Sequence, residues 1–112
     1  MKYENRLVAT EPAQGQLGAT EATLYTVPAM ARAARVRVVL NNSHAANSNT
    51  VSIYYRRYGE TTSRRIGYFV LAAGETAAGE LGPLAAGDML RGMATNAANV
   101  DYLITCDQES DI

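Results

Sequence analysis

Tryptophan is absent, and phenylalanine, cysteine and histidine occur once each. With Cys106 alone, no intrachain disulfide can staple a weak interior, and the residue is expected as a small buried hydrophobe. A cupin-type metal centre needs several histidines, and zinc sites are commonly built on paired cysteines. His44 stands among asparagines, serines and alanines. It is expected as a solvated loop residue, with no partner set for a Ser–His–Asp triad. No Gly-Lys-Ser or Gly-Lys-Thr occurs, so the chain has no P-loop. The acids Glu60, Glu75, Glu80, Asp88 and Asp101 are scattered singly, with nothing to suggest the facing carboxylates of a glycosidase. No catalytic residue, cofactor or metal is expected. No stretch reaches the ~18 apolar residues of a membrane span, and MKYENRLVATEP has no apolar leader core.

Large apolar side chains are also scarce. Hydrophobic residues are 47% of the 112, but 19 are alanine and only 22 are Leu, Ile, Val or Phe. A net charge of −1 argues against disorder, so the expectation is one folded domain with a modest core. Such a domain gains from burying more surface against partners.

What is present is alternation. Val36, Val38 and Leu40 point one way in ARVRVVLN, and Val51, Ile53 and Tyr55 share a face in NTVSIYYRRY. Val100, Tyr102, Ile104 and Cys106 do the same in NVDYLITC. A period of two marks half-buried strands. Further strands are expected at 22–27, 64–71, 75–81 and 88–95, with a shorter one at 5–10 and a possible helical turn at 29–34. The connectors VPAMARA, NNSHAANSN, YGETTS, LGPLAAGD and TNAAN carry turn chemistry. The triplet Ala-Ala-Gly followed by an acid occurs at 72–75 and 85–88. Glu75 and Asp88 would repel phosphate, so Gly74 and Gly87 are expected as left-handed turn residues that reverse the chain. Seven or eight short antiparallel strands at this spacing predict an all-β fold, a single β-sandwich.

Charge is unevenly placed. Residues 32–65 hold seven arginines against one glutamate, whereas ten of the eleven acids lie elsewhere. A hairpin around YGETTS would set Arg56 and Arg57 against Arg64 and Arg65, which is unfavourable unless acids of a neighbouring subunit or an anionic surface offset them. Tyr54, Tyr55 and Tyr58 lie beside these arginines. Tyrosine and arginine are both enriched at protein interfaces. The candidate partner-binding residues are therefore Arg56, Arg57, Arg64, Arg65, Tyr54 and Tyr58. Nucleic acid is not an expected partner, because the chain as a whole is slightly acidic.

LYTVPA, RVRVVLNN, NTVSIYY, AAGE and GPLAAGDMLRG follow one another over residues 22–106. This order resembles small all-β virion proteins of tailed bacteriophages, most of all the jelly-roll head decoration (cement) proteins of short-tailed phages. The resemblance implies a jelly-roll-like sandwich that dimerises, binds the major capsid protein from outside and resides in a virion assembled in the host cytoplasm. It implies no enzyme and no membrane partner. The domain is expected over 21–106, after an arm or edge strand at 1–20 and before a short, solvated acidic tail at 107–112. A tail-fibre or carbohydrate-binding sandwich, with tyrosines stacking sugars, is the alternative.

Overall fold

Alternating apolar and polar residues build strands wherever one face of the chain can be buried, and nine such strands form among the described residues. The computed structural model describes residues 5–9, 13–28 and 33–111, with side chains described for 13–28 and 35–106. The strands are β1 (Asn5–Ala9), β2 (Ala13–Gln16), β3 (Ala22–Thr26), β4 (Ala33–Asn42) and β5 (Asn49–Arg56), followed by β6 (Arg64–Leu71), β7 (Thr76–Leu84), β8 (Met89–Ala94) and β9 (Val100–Asp111). One sheet, here sheet A, has β1 and β2 together at one edge, then β9, β4 and β7. The other, sheet B, has the order β3, β8, β5, β6.

The pairing is nested. β1 pairs with β9 over Asp107–Asp111 and β2 over Asp101–Ile104, so the two share one strand position. Counted that way there are eight positions. The first pairs with the last, β3 with β8, β4 with β7 and β5 with β6, all antiparallel. The β4–β9 and β5–β8 ladders complete the sheets. A long hairpin wrapped into two packed four-position sheets is a jelly-roll arrangement.

Register confirms the expected inner faces. Val36, Val38 and Leu40 oppose Cys106, Ile104 and Tyr102. Val51 and Ile53 oppose Ala94 and Gly92 on one side and Phe69 and Gly67 on the other. Among the described residues, the buried core contains leucines, valines, isoleucines, Ala94 and Cys106 but no aromatic residue; Phe69, Tyr25 and Tyr102 pack at its margin. This is the thin interior that the composition requires.

Both Ala-Ala-Gly-acid sequences are turns, with Gly74 at φ 75° and Gly87 at φ 84°. The acid completes each one. The Ala72 N–H donates to Glu75 Oε1 at 2.7 Å, and the Glu75 N–H donates to the Ala72 carbonyl at 2.9 Å. Ala85 and Asp88 repeat both bonds, at 3.0 and 3.1 Å. The glycine N–H docks each turn onto an earlier strand end, Gly74 on the Asn42 carbonyl and Gly87 on the Val27 carbonyl. The two turns therefore close opposite ends of the sandwich.

Several boundaries differ from expectation. The connector expected at 81–88 shrinks to 85–88, because LGPL belongs to β7. The acidic end, expected as a solvated tail, continues β9 to Asp111 because β1 and the start of β4 supply its backbone partners. The 1–20 stretch contributes β1 and β2 to a sheet edge. Of the helical turn considered at 29–34, residues 33 and 34 open β4 and 29–32 lie outside the described residues.

The two turn glycines should respond differently to alanine. Nothing lies within 4 Å of a Cβ built on Gly74, whereas on Gly87 it would fall 2.3 Å from the Tyr58 ring. Gly74→Ala should cost the left-handed backbone penalty alone, about 1–2 kcal/mol. Gly87→Ala should cost clearly more, because Tyr58 must also move. Urea denaturation of both variants measures the difference.

Candidate interaction face

Sheet B presents one face to sheet A and the other to solvent, and the outer face has an interface-like composition. Along β8, Leu90, Gly92 and Ala94 are buried, which leaves Met89, Arg91 and Met93 outside. Thr23 of β3 pairs with Arg91, Arg91 with Tyr54, and Tyr54 with Arg65, forming a row across all four strands. The next row is Met93, Ser52 and Tyr68. Tyr54 directs its hydroxyl at Met93 Sδ, 3.7 Å away, and the Arg65 guanidinium lies 4.5 Å from the Tyr68 ring centroid. Tyr68 and Val70 stay more than half exposed.

The expected clash of arginines does not occur. Between Ile53 and Tyr54 the β5–β6 register shifts, so Tyr54 opposes Arg65 and Tyr55 opposes Arg64. This bulge skips Ile66 and sets arginine against tyrosine. Arg56, beyond the last pair of this ladder, donates to Ser63 Oγ at 3.0 Å.

An acid of the same chain also offsets part of the charge. Glu21 Oε2 accepts from Ser63 Oγ at 2.6 Å, Arg91 Nε at 2.5 Å and Arg56 Nη2 at 3.5 Å. The Ser63 hydrogen bond first, then the Arg91 hydrogen bond and the charges of Arg91 and Arg56, hold Glu21 below the usual carboxylate range against the opposing push of burial. Arg91 also reaches Thr23 Oγ1. Arg56 and Arg91 are therefore pinned, whereas Arg64 and Arg65 are exposed. Among the described residues, no carboxylate forms an ion pair with either of them.

The remaining expected residues lie at the end of the sandwich. Arg57 and Tyr58 are in the β5–β6 loop, and Asp88 holds that loop down. Asp88 is 4% exposed, and its carboxylate is the loop's acceptor. It accepts from the Tyr55 hydroxyl at 2.7 Å, the Tyr58 N–H at 2.9 Å and the Ala85 N–H at 3.0 Å. Burial pushes its pKa up, but these hydrogen bonds and the Arg57 charge outweigh burial and leave it below the usual value. Burial first, then Asp88 itself, pushes the Tyr55 phenol up. Tyr54, Tyr55 and Tyr58 thus form no shared platform, since neighbours on β5 alternate faces and Tyr58 is in the loop.

Of the six expected residues, Tyr54, Arg56 and Arg65 meet on the outer face. Arg64 has the register of inner-facing Tyr55, and Arg57 and Tyr58 lie beyond the sheet. Met93, Arg91, Tyr68 and Glu21 went unrecognised as parts of the face. The alternation in DMLRGMAT already separates Met89, Arg91 and Met93 from Leu90, Gly92 and Ala94. The placement of Glu21 beside Arg56 depends on the β3–β8–β5 pairing.

His44 is more than a solvated loop residue: its Nδ1 accepts the N–H groups of Ala46 and Asn47, at 3.0 and 2.9 Å. Among the described residues, no group of three or more His, Cys, Asp or Glu is placed to hold a metal. No helix among them is long and apolar enough to cross a membrane.

The fold places this chain in the class of small jelly-roll domains. It is similar to a chain from the disulfide-linked pili of Bacillus endospore appendages, at 17% identity and a TM-score of 0.59, covering 96% of this chain and 88% of that one. It is also similar to a chain from the acid-stable capsid of the Helicobacter pylori bacteriophage KHP30, at 14% identity and a TM-score of 0.58, covering 99% and 98%. At these identities the likeness is one of fold. No family model and no curated protein matches the chain.

Asp88 should set part of the acid sensitivity. An aspartate in an unfolded chain titrates near pH 4. Because the folded value is lower, the stabilisation is complete above about pH 4 and disappears as pH falls through the folded value. Asp88→Ala leaves two N–H groups and a phenol without their acceptor and should cost about 2–4 kcal/mol at neutral pH. The gap to wild type should narrow at pH 3, as read by denaturant titration at both pH values.

Proposed function

We propose that this chain is a non-enzymatic structural protein of a phage particle. In this reading it is a decoration protein that docks on the outside of the head against the major capsid protein, as a homodimer. The supporting observation is the outer face of sheet B, where Tyr54, Tyr68, Met93 and Arg65 lie together. Tyr, Met and Arg are the types enriched at protein interfaces. Glu21 fixes Arg56 and Arg91 on this face, so little side-chain freedom of theirs remains to be lost on docking. Binding only the assembled shell would stabilise that shell by mass action.

Exposed Arg64 and Arg65 supply the cationic edge for acids on the partner. Arg64→Glu combined with Arg65→Glu should weaken binding to emptied heads tenfold or more, equivalent to at least about 1.4 kcal/mol. The melting temperature should hold, because neither residue pairs with a carboxylate among the described residues. Co-sedimentation with emptied heads measures occupancy, with Leu103→Ser on the exposed face of sheet A as the control. Equal occupancy by the double variant would count against docking through this face.

A carbohydrate-binding role is favoured by a different feature. At the Asn42 end, a polar pocket of about 210 Å³ is lined by His44, Asn47, Ser48, Asn49, Asn96 and Asn99. These are neutral donors and acceptors suited to hydroxyl groups. Binding on a glycan array that is lost in Asn96→Ala would favour this role over decoration.

A further inference from the structure

Among the described residues β6 is the last strand of sheet B, and one side of its backbone has no neighbour there in the sheet. Edge strands are commonly protected from pairing by proline, charge, bulges or shortness. β7, the edge of sheet A, carries Pro83 and Gly79. β6 has no proline over its eight residues, and beyond Arg64 and Arg65 it is uncharged. Its bulge lies at the arginine end, and Gly67–Leu71 pair regularly with β5. Ile66, Tyr68 and Val70 are 47%, 61% and 58% exposed.

An apolar groove of about 320 Å³ opens between β6 and β7. Val38, Leu40, Ile53, Phe69 and Leu81 line it, and the bulge residue Ile66 contributes to its wall. The groove exists because β7 places Ala77 and Gly79 there, and neither can fill it. An open backbone edge and an uncovered part of the core thus occur side by side.

We infer that β6 pairs antiparallel with β6 of a second copy about a two-fold axis at Tyr68, closing this side of both sandwiches. This deepens the decoration reading by naming the surface through which it dimerises. Charge selects the occupant's orientation. Parallel, in-register pairing would set Arg64 and Arg65 against their own copies, which is unfavourable. Antiparallel pairing about Tyr68 sets Ile66 opposite Val70 and Arg65 opposite uncharged Leu71. The contact is isologous, so it closes as a dimer and leaves neither β6 edge open.

Sedimentation of the full chain without shells tests the pairing, separately from capsid occupancy. Wild type should sediment as a dimer, and Val70→Lys should weaken dimerisation at least tenfold while keeping a cooperative melt. Tyr68→Cys should form a disulfide-linked dimer on mild oxidation, because Cys106 is buried. Gln14→Cys, exposed on β2, should not. A wild type that stays monomeric over the accessible concentration range would overturn the inference. So would a dimer indifferent to Val70→Lys, or equal cross-linking at positions 68 and 14. If a monomeric wild type lost shell binding through Val70→Lys, the edge would receive a capsid strand, and a second copy would be ruled out.

Discussion

A buried carboxylate fixes the end of the sandwich where three connections meet. Asp88 closes its own turn through the Ala85 N–H and secures the β5–β6 loop through the Tyr58 N–H and the Tyr55 hydroxyl. Its backbone carbonyl accepts from Val27 at the end of β3. A buried acid is costly unless it is hydrogen-bonded, so its position and those of its donors determine one another. Asn42 does the equivalent at the opposite end. Its Nδ2 donates to the carbonyls of Asn47, Leu71 and Ala72, and its Oδ1 accepts from the His44 N–H. Two satisfied polar anchors thus tie the strand ends together around a core of small and aliphatic side chains.

This arrangement leaves distinct surfaces available. The outer face of sheet B does not help fill the core, so it can hold tyrosine, methionine and arginine in fixed positions. The register shift at Ile66 prevents a stack of arginines and turns an apolar side chain towards the groove. The small residues of β7 leave that groove unfilled. A domain short of large apolar side chains therefore has some of its core accessible at one edge, where a neighbour's side chains could complete it.

The alternation in 36–40, 51–55 and 100–106 was enough to place three of the four central strands and their buried faces, because side chains in a strand alternate whatever their neighbours are. Glycine followed by an acid was enough to place two reversals, since φ near +80° excludes most side chains. What Glu75 and Asp88 do in those reversals was not legible. Their hydrogen bonds form only once the turn has closed, and those from Tyr55 and Tyr58 to Asp88 join segments 33 and 30 residues apart.

The sequence by itself determined an all-β chain of short strands with a thin core and no metal-binding or nucleophilic signature, because composition and local periodicity carry that information. The tertiary structure decided which residues meet. Glu21 reaches Arg91 across 70 positions of chain, and Tyr54 rather than a second arginine faces Arg65. Pairing register sets those neighbours, and it depends on how the whole hairpin wraps to bury its apolar face. No local stretch encodes that geometry.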